Sequence, residues 1–116
     1  MTGITTHILD LTIGKPVANI VIELFYLQDS KKFINKGITN EDGRIDKPLL
    51  EKTDLKEGQY ELLFHIGPYS SSKHTTVTNH PFLDEIPVRF NIVDVNQHYH
   101  IPLLISAWGY QIYRGS

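Results

Sequence analysis

The chain has 116 residues, 41% of them apolar and 21% charged, with a formal net charge of -2 and no cysteine. That suits one globular domain spanning residues 1–116, and it excludes a disordered chain, a disulfide framework and thiol chemistry. No basic stripe marks a nucleic-acid surface, and no apolar run approaches the roughly 18 residues that a membrane helix needs.

Ile4 to Leu11 alternates, with Thr5, His7 and Leu9 on one face and Thr6, Ile8 and Asp10 on the other. Gly14-Lys15-Pro16 reads as a turn. Val17 to Leu27 is a β-branched and aromatic run suited to a central strand, and Lys32 to Thr39 is a shorter strand. Asn40-Glu41-Asp42-Gly43 is a turn with a glycine fit for positive φ. Gln59 to Ile66 is a further strand, ended by Gly67-Pro68. Tyr69 to Glu85 is polar and reads as a short helix and a long connection. Ile86 to Val95 alternates again, and the last strands run from His98 to Ile105 and from about Gly109 to Arg114. Seven or eight short strands with turns between them predict an all-β, two-sheet sandwich.

Between His98 and Ile105, Tyr99, Ile101, Leu103 and Ile105 share a core face. His98, His100, Pro102 and Leu104 share the other, which begins polar and turns apolar. Pro102 has no N–H for a ladder, which predicts an edge or interrupted strand. A second apolar face predicts a subunit contact.

Six histidines are the main chemical resource: His7, His65, His74, His80, His98 and His100. His98 and His100 lie two apart, so on a strand they point the same way. Three readings stay open for that pair. They are locally bonded structural residues, zinc ligands with His7 as a third, or neutral imidazoles for acid–base work. His65 reads as a packed strand residue, and His74 and His80 as surface residues. Arg44, after a turn glycine, reads by itself as a solvated charge. No nucleophile elbow, phosphate loop or dinucleotide fingerprint is present. The densely functional end, Tyr113-Arg114-Gly115-Ser116, predicts a terminus folded into a site, since chain ends otherwise fray.

Thr6-His7-Ile8-Leu9-Asp10, Asp42-Gly43-Arg44, His98-Tyr99-His100-Ile101-Pro102-Leu103-Leu104 and Tyr113-Arg114-Gly115-Ser116 together resemble the hydroxyisourate hydrolase family, the transthyretin-related enzymes of urate breakdown. The likeness covers nearly the whole chain. Departures fall at Gln111-Ile112, at Ser106-Ala107 and at Gly67-Pro68-Tyr69.

The resemblance implies a transthyretin-like sandwich of two four-stranded sheets with one short helix. It implies a homotetramer with its sites at the dimer–dimer interface, no cofactor and no metal. It implies hydrolysis of 5-hydroxyisourate to 2-oxo-4-hydroxy-4-carboxy-5-ureidoimidazoline in purine catabolism. With no basic leader and no peroxisomal address in view, the expected location is cytoplasmic. His7, Arg44, His100 and Ser116 are the implied catalytic residues, and His98, Tyr113, Arg114 and Gly115 the implied substrate-binding ones. Arg114 has a second reading, as a pin that holds the tail by a salt bridge. The competing reading of the whole chain is a non-catalytic transthyretin-like protein that binds a flat aromatic ligand.

Overall fold

A computed structural model of the protein describes residues 3–73 and 80–115. The expectations for His74 and Ser116 therefore lie outside the described residues.

The first strand, β1, is Ile4–Asp10, and the two-residue β2, Lys15–Pro16, folds back on it. The segment read as a turn at Gly14-Lys15-Pro16 is thus partly ladder, and the turn sits just before it at residues 11–14. The next strands are β3, Val21–Gln28, and β4, Ser30–Ile38. A short 3-10 turn at Lys52–Asp54, unannounced by the sequence pattern, leads to β5, Gly58–His65. The helix α1, Gly67–Lys73, follows at once, two residues earlier than expected. Pro68 lies in its first turn, where a missing N–H costs nothing. The chain closes with β6, Glu85–Ile92, β7, Tyr99–Ile105, and β8, Tyr110–Ile112.

These strands form two four-stranded sheets, ordered β2-β1-β7-β8 and β4-β3-β5-β6. The alternating patterns decide which faces meet. Ile4 and Ile8 of β1 and Leu103 and Ile105 of β7 turn inward, against Ile22, Leu24, Leu62 and Phe64 of the other sheet. All eight have no measurable exposure, and each such side chain contributes roughly 1.5–3 kcal/mol by leaving water. The predicted central strand at 17–27 is an interior strand, although its ladder begins only at Val21. Along the edge strand β4, Lys31, Lys32 and Lys36 are exposed, a charge pattern that discourages edge-to-edge pairing.

Two inward polar groups on β1 are satisfied locally. Thr6 Oγ1 donates to the Ile101 carbonyl at 2.6 Å. Asp10, fully buried, accepts from the Thr12 amide at 2.9 Å and from the Tyr69 hydroxyl at 2.5 Å, which ties α1 to the end of β1. Burial and the Asp10 carboxylate together push the Tyr69 hydroxyl pKa well above its usual value. His65 is half-buried on β5, 2.6 Å from Glu23 and 3.4 Å from Glu85, a structural position as expected.

Of the two outcomes that Pro102 predicts, the edge is not found, since β7 is interior, parallel to β1 and antiparallel to β8, while the ladder to β8 is interrupted there, pairing only Leu103 to Ile105. The reason is directional. The Pro102 carbonyl accepts from the Tyr113 amide at 3.4 Å, so Pro102 turns its ladder groups toward residues beyond the end of β8. The missing N–H falls where that ladder is already lapsing, and the β1 side of β7 is untouched.

Candidate active site

The parallel register of β1 and β7 sets Thr5 beside His100 and His7 beside Pro102. With period-two alternation, Thr5, His7, His98, His100 and Pro102 all lie on the outward face of this sheet. The pair joins the beginning of the chain to its end, so two distant histidine motifs become neighbours. The rings of His7 and His100 lie 6.4 Å apart between centroids, and those of His98 and His100 lie 6.2 Å apart and nearly parallel.

Arg44 arrives at the other edge of β1. The Asn40 side chain organises its turn, with Oδ1 accepting from the amides of Asp42 at 2.8 Å and Arg44 at 3.2 Å. Gly43 adopts φ 74° and is buried against β1, and its carbonyl accepts from the Ile8 amide at 2.9 Å. A Cβ at this position would sit 2.4 Å from the Ile8 carbonyl oxygen. Only glycine permits both the conformation and the approach. The result is a backbone bridge between His7 and Arg44 that sets the arginine next to the histidine. The Arg44 guanidinium is exposed and makes no hydrogen bond or ion pair among the described residues.

The C-terminal segment completes the wall. The Gly115 amide donates to the His100 carbonyl at 2.7 Å. A Cβ on Gly115 would meet the His100 ring at 2.8 Å, so the absent side chain is what lets the tail lie against the imidazole. Thr5, His7, Arg44, His98 and His100, with Pro102, Tyr113 and Gly115, surround one open cleft of about 610 Å³.

Arg114 does not line this cleft. Its guanidinium donates to the Gln97 side chain at 2.8 Å and to the His98 carbonyl at 3.2 Å, and it lies 4.5 Å from the centre of the Tyr99 ring. It faces a second, largely apolar cavity of about 430 Å³ between Phe90, Ile101 and Ile112. This geometry matches the tail-pinning reading of Arg114, without the salt bridge among the described residues. Gln111 and Ile112 sit in the short β8 ladder opposite Leu104 and Leu103, away from the histidines.

Burial, then the Arg44 charge, lowers the pKa of His7, against a smaller opposing pull from Asp42. The same two causes, in the same order, lower His100, helped by His7 and His98. Burial is the largest cause that lowers His98; the Gly3 backbone opposes it, and Arg114 adds the smallest lowering. In all three rings these effects favour the neutral form, which keeps a lone pair able to accept a proton. Among the described residues that line the cleft, Arg44 supplies the permanent positive charge. No three His, Asp or Glu side chains among the described residues converge closely enough to hold a metal ion.

Sequence reasoning passed over Thr5. Its hydroxyl lies 3.2 Å from His98 Nε2 and 2.8 Å from His100 Nδ1, between the two rings. The available signal was its place two residues before His7 on one strand face. The partner across the sheet emerges only with the β1–β7 register.

A profile of the HIUase/Transthyretin family matches residues 4–115. The chain belongs to this family. A protein of Halalkalibacterium halodurans named 5-hydroxyisourate hydrolase is 46% identical over 119 residues, covering all of both chains. One of Deinococcus radiodurans with the same name is 42% identical, over 98% of this chain and 96% of its own. The solved structure of Klebsiella pneumoniae 5-hydroxyisourate hydrolase superposes with a TM-score of 0.81 at 27% identity, covering all of both chains. Transthyretin from Sparus aurata gives a TM-score of 0.87 over 99% of this chain and 97% of its own, but at 22% identity it speaks for the fold alone.

Proposed function

We propose that this chain hydrolyses 5-hydroxyisourate to 2-oxo-4-hydroxy-4-carboxy-5-ureidoimidazoline. The observation that carries the reading is the convergence of His7, His100 and Arg44 on one cleft. Relatives of 40% identity and more that bear the hydrolase name support it.

The reaction adds water to an amide-like ring carbonyl and breaks the adjoining C–N bond. A neutral imidazole, His7 or His100, takes the proton of the attacking water. The other orients the substrate or returns a proton to the departing nitrogen. A positioned base of this kind supplies roughly 10²–10⁴-fold. Arg44, with its fork unpaired, meets the oxygen that gains negative charge when water adds. A donor so placed is worth roughly 3 kcal/mol. Tyr113 and Gly115 shape the cleft wall, and Ser116, next in the chain, binds the attacking water or orients a histidine. His98 acts from behind His100. No step calls for a metal or an organic cofactor.

The functional unit in this reading is a single domain, residues 1–116, assembled as a homotetramer that closes the open clefts in pairs, working in the cytoplasm. The alternative is a binding module for a flat aromatic ligand. Such sites are lined mainly by apolar groups. Three histidines, a threonine and an unpaired arginine around one cleft weigh against it.

The test is the ultraviolet decay of freshly generated 5-hydroxyisourate, measured against its spontaneous rate, with and without chelator. Acceleration that survives chelator is expected. No acceleration by folded, untagged protein would remove the hydrolase reading, and acceleration abolished by chelator would replace the metal-free mechanism with a zinc one.

A further inference from the structure

The Thr5 hydroxyl has one proton to give and two nitrogens in reach. It can donate to one ring and accept from the other, but it cannot donate to both. The two possible arrangements leave His98 and His100 in different tautomers.

In the first, Thr5 donates to His100 Nδ1 and accepts from a protonated His98 Nε2. His98 Nδ1 is then a bare lone pair. That atom is buried and makes no hydrogen bond, and the backbone group brought beside His98 is the Gly3 carbonyl, an acceptor already pinned by the neighbouring Tyr99 amide at 2.9 Å. Two acceptors would face each other away from water, which is costly. In the second, Thr5 donates to His98 Nε2 and accepts from a protonated His100 Nδ1. His98 Nδ1 then carries its proton toward the Gly3 carbonyl, the side on which that carbonyl favours one. No acceptor is then turned on another acceptor. Gly3 is held for this by backbone pairing, because its carbonyl already accepts from the Tyr99 amide at 2.9 Å.

We propose that Thr5 is a positioning residue that holds His100 in the Nδ1–H tautomer and leaves His100 Nε2 as the open acceptor of the cleft. The line runs from the Gly3 carbonyl through His98 and Thr5 to His100. It ranks His100 ahead of His7 as the base and gives His98 its task, which is to anchor the far end of the relay. His100 Nε2 makes no hydrogen bond among the described residues and is not sealed from solvent, as a base waiting for a water must be. The proposal rests on the hydrolase reading of the same cleft for its chemical purpose, but the tautomer is a property of the protein alone.

The experiment pairs a spectroscopic reading with kinetics. Protein labelled with ¹⁵N-histidine is examined by long-range ¹H–¹⁵N correlation near pH 8, with His98→Gln and His100→Gln used for assignment. The wild type should show His100 protonated on Nδ1 with an unprotonated Nε2. Thr5→Val keeps the branched shape and removes the hydroxyl, so His100 should move toward the Nε2–H form. Its kcat should drop roughly 10²-fold, the lower range for one base, with KM changed far less. Thr5→Ser restores the hydroxyl and should recover both tautomer and kcat to within about threefold.

A wild-type His100 found as Nε2–H overturns the proposal, and so does a Thr5→Val protein with unchanged tautomer or unchanged kcat. If Thr5→Val does not fold, the wild-type spectrum and Thr5→Ser still decide. Wild-type protein with the expected tautomer but no effect on 5-hydroxyisourate would sink the hydrolase reading instead. Active protein with the opposite tautomer would sink only the relay.

Discussion

Gly115→Ala isolates the contact between the tail and His100. Gly115 is outside the positive-φ region, so alanine meets no backbone penalty there. The obstacle is local: the new Cβ would lie 2.8 Å from His100 Cδ2 and 3.2 Å from Pro102 Cγ. Reaching an ordinary contact near 3.4 Å requires the ring and the tail to separate by about 0.6 Å. Pro102 is buried and held in β7, so it gives little, and the movement falls on the imidazole or on the 2.7 Å bond from Gly115 N to His100 O. A displacement near 1 Å at a reacting group costs roughly 10²-fold, so a shift of this size should cost about 10-fold to 10²-fold in kcat. The sandwich core is untouched, and thermal unfolding should move by less than about 1 kcal/mol. The assay is steady-state decay of 5-hydroxyisourate alongside far-UV circular dichroism on heating. Wild-type turnover in Gly115→Ala would refute the close packing of tail on ring. A loss of turnover matched by gross destabilisation would mean that the segment serves the fold rather than the site.

Arg44→Lys should lose about 10² in kcat/KM with the oligomer intact by light scattering, because lysine keeps the charge but not the planar fork; near-normal turnover would remove Arg44 from charge stabilisation. The acid limb of the kcat/KM profile should have its midpoint below the ordinary imidazole value of 6.5, since burial and Arg44 both lower His7 and His100. In Arg44→Gln that midpoint should rise but stay below 6.5, because burial is the larger cause; a midpoint at or above 6.5 in the wild type would contradict the electrostatics. The same shifts carry a stability sign: rings with lowered folded pKa values bind protons better once unfolded, so urea titrations should show stability eroding as pH falls below about 6.5. A few residues appended after Ser116 should cut turnover at least 10-fold with unchanged circular dichroism, since Gly115 already lies in the cleft and one good contact is worth that much; full activity in the extended protein would show that the end is not placed in the site.

The alternation in Ile4 to Asp10, Ile86 to Ile92 and Tyr99 to Ile105 made the faces legible, because apolar residues every second position have only one side to bury. The Asn40–Gly43 turn was legible for the same kind of local reason. What sequence could not supply was pairing. Pro102 looked like an edge residue, because a single strand does not reveal which neighbour its missing N–H will face. The helix starts two residues before the position the sequence predicts, because Pro68 both ends the strand and opens the helix. At the site, His7, His98, His100 and Gly115 were singled out by the resemblance and are brought together at one cleft, while Arg114 is turned away by Gln97 and the His98 carbonyl. Thr5 went unassigned because a threonine in a strand has no chemistry until a ring is set on each side of it.

The parallel pairing of β1 with β7 explains why the cleft arises here rather than elsewhere on the sandwich. The other five strand pairings among the described residues are antiparallel, and most join neighbours in sequence. Only β1–β7 brings the first and last parts of the chain side by side in step. In step, Thr5 faces His100 and the histidines fall on one side; a slip of β7 by one residue would turn His98 and His100 into the core and leave His7 outside. The remaining parts attach by single backbone bridges, His7 to Arg44 and His100 to Gly115, not by long ladders. Each bridge has a glycine at or beside it: Gly43, where the positive φ and a Cβ 2.4 Å from the Ile8 carbonyl oxygen exclude a side chain, and Gly115, where a Cβ would press on the His100 ring at 2.8 Å. The sandwich supplies rigidity to the two central strands, and two glycine contacts deliver the cation and the tail. That division predicts where sequence change is tolerated: the core accepts apolar exchange of similar volume, whereas a larger residue at Gly43 meets the Ile8 carbonyl and one at Gly115 must move the His100 ring.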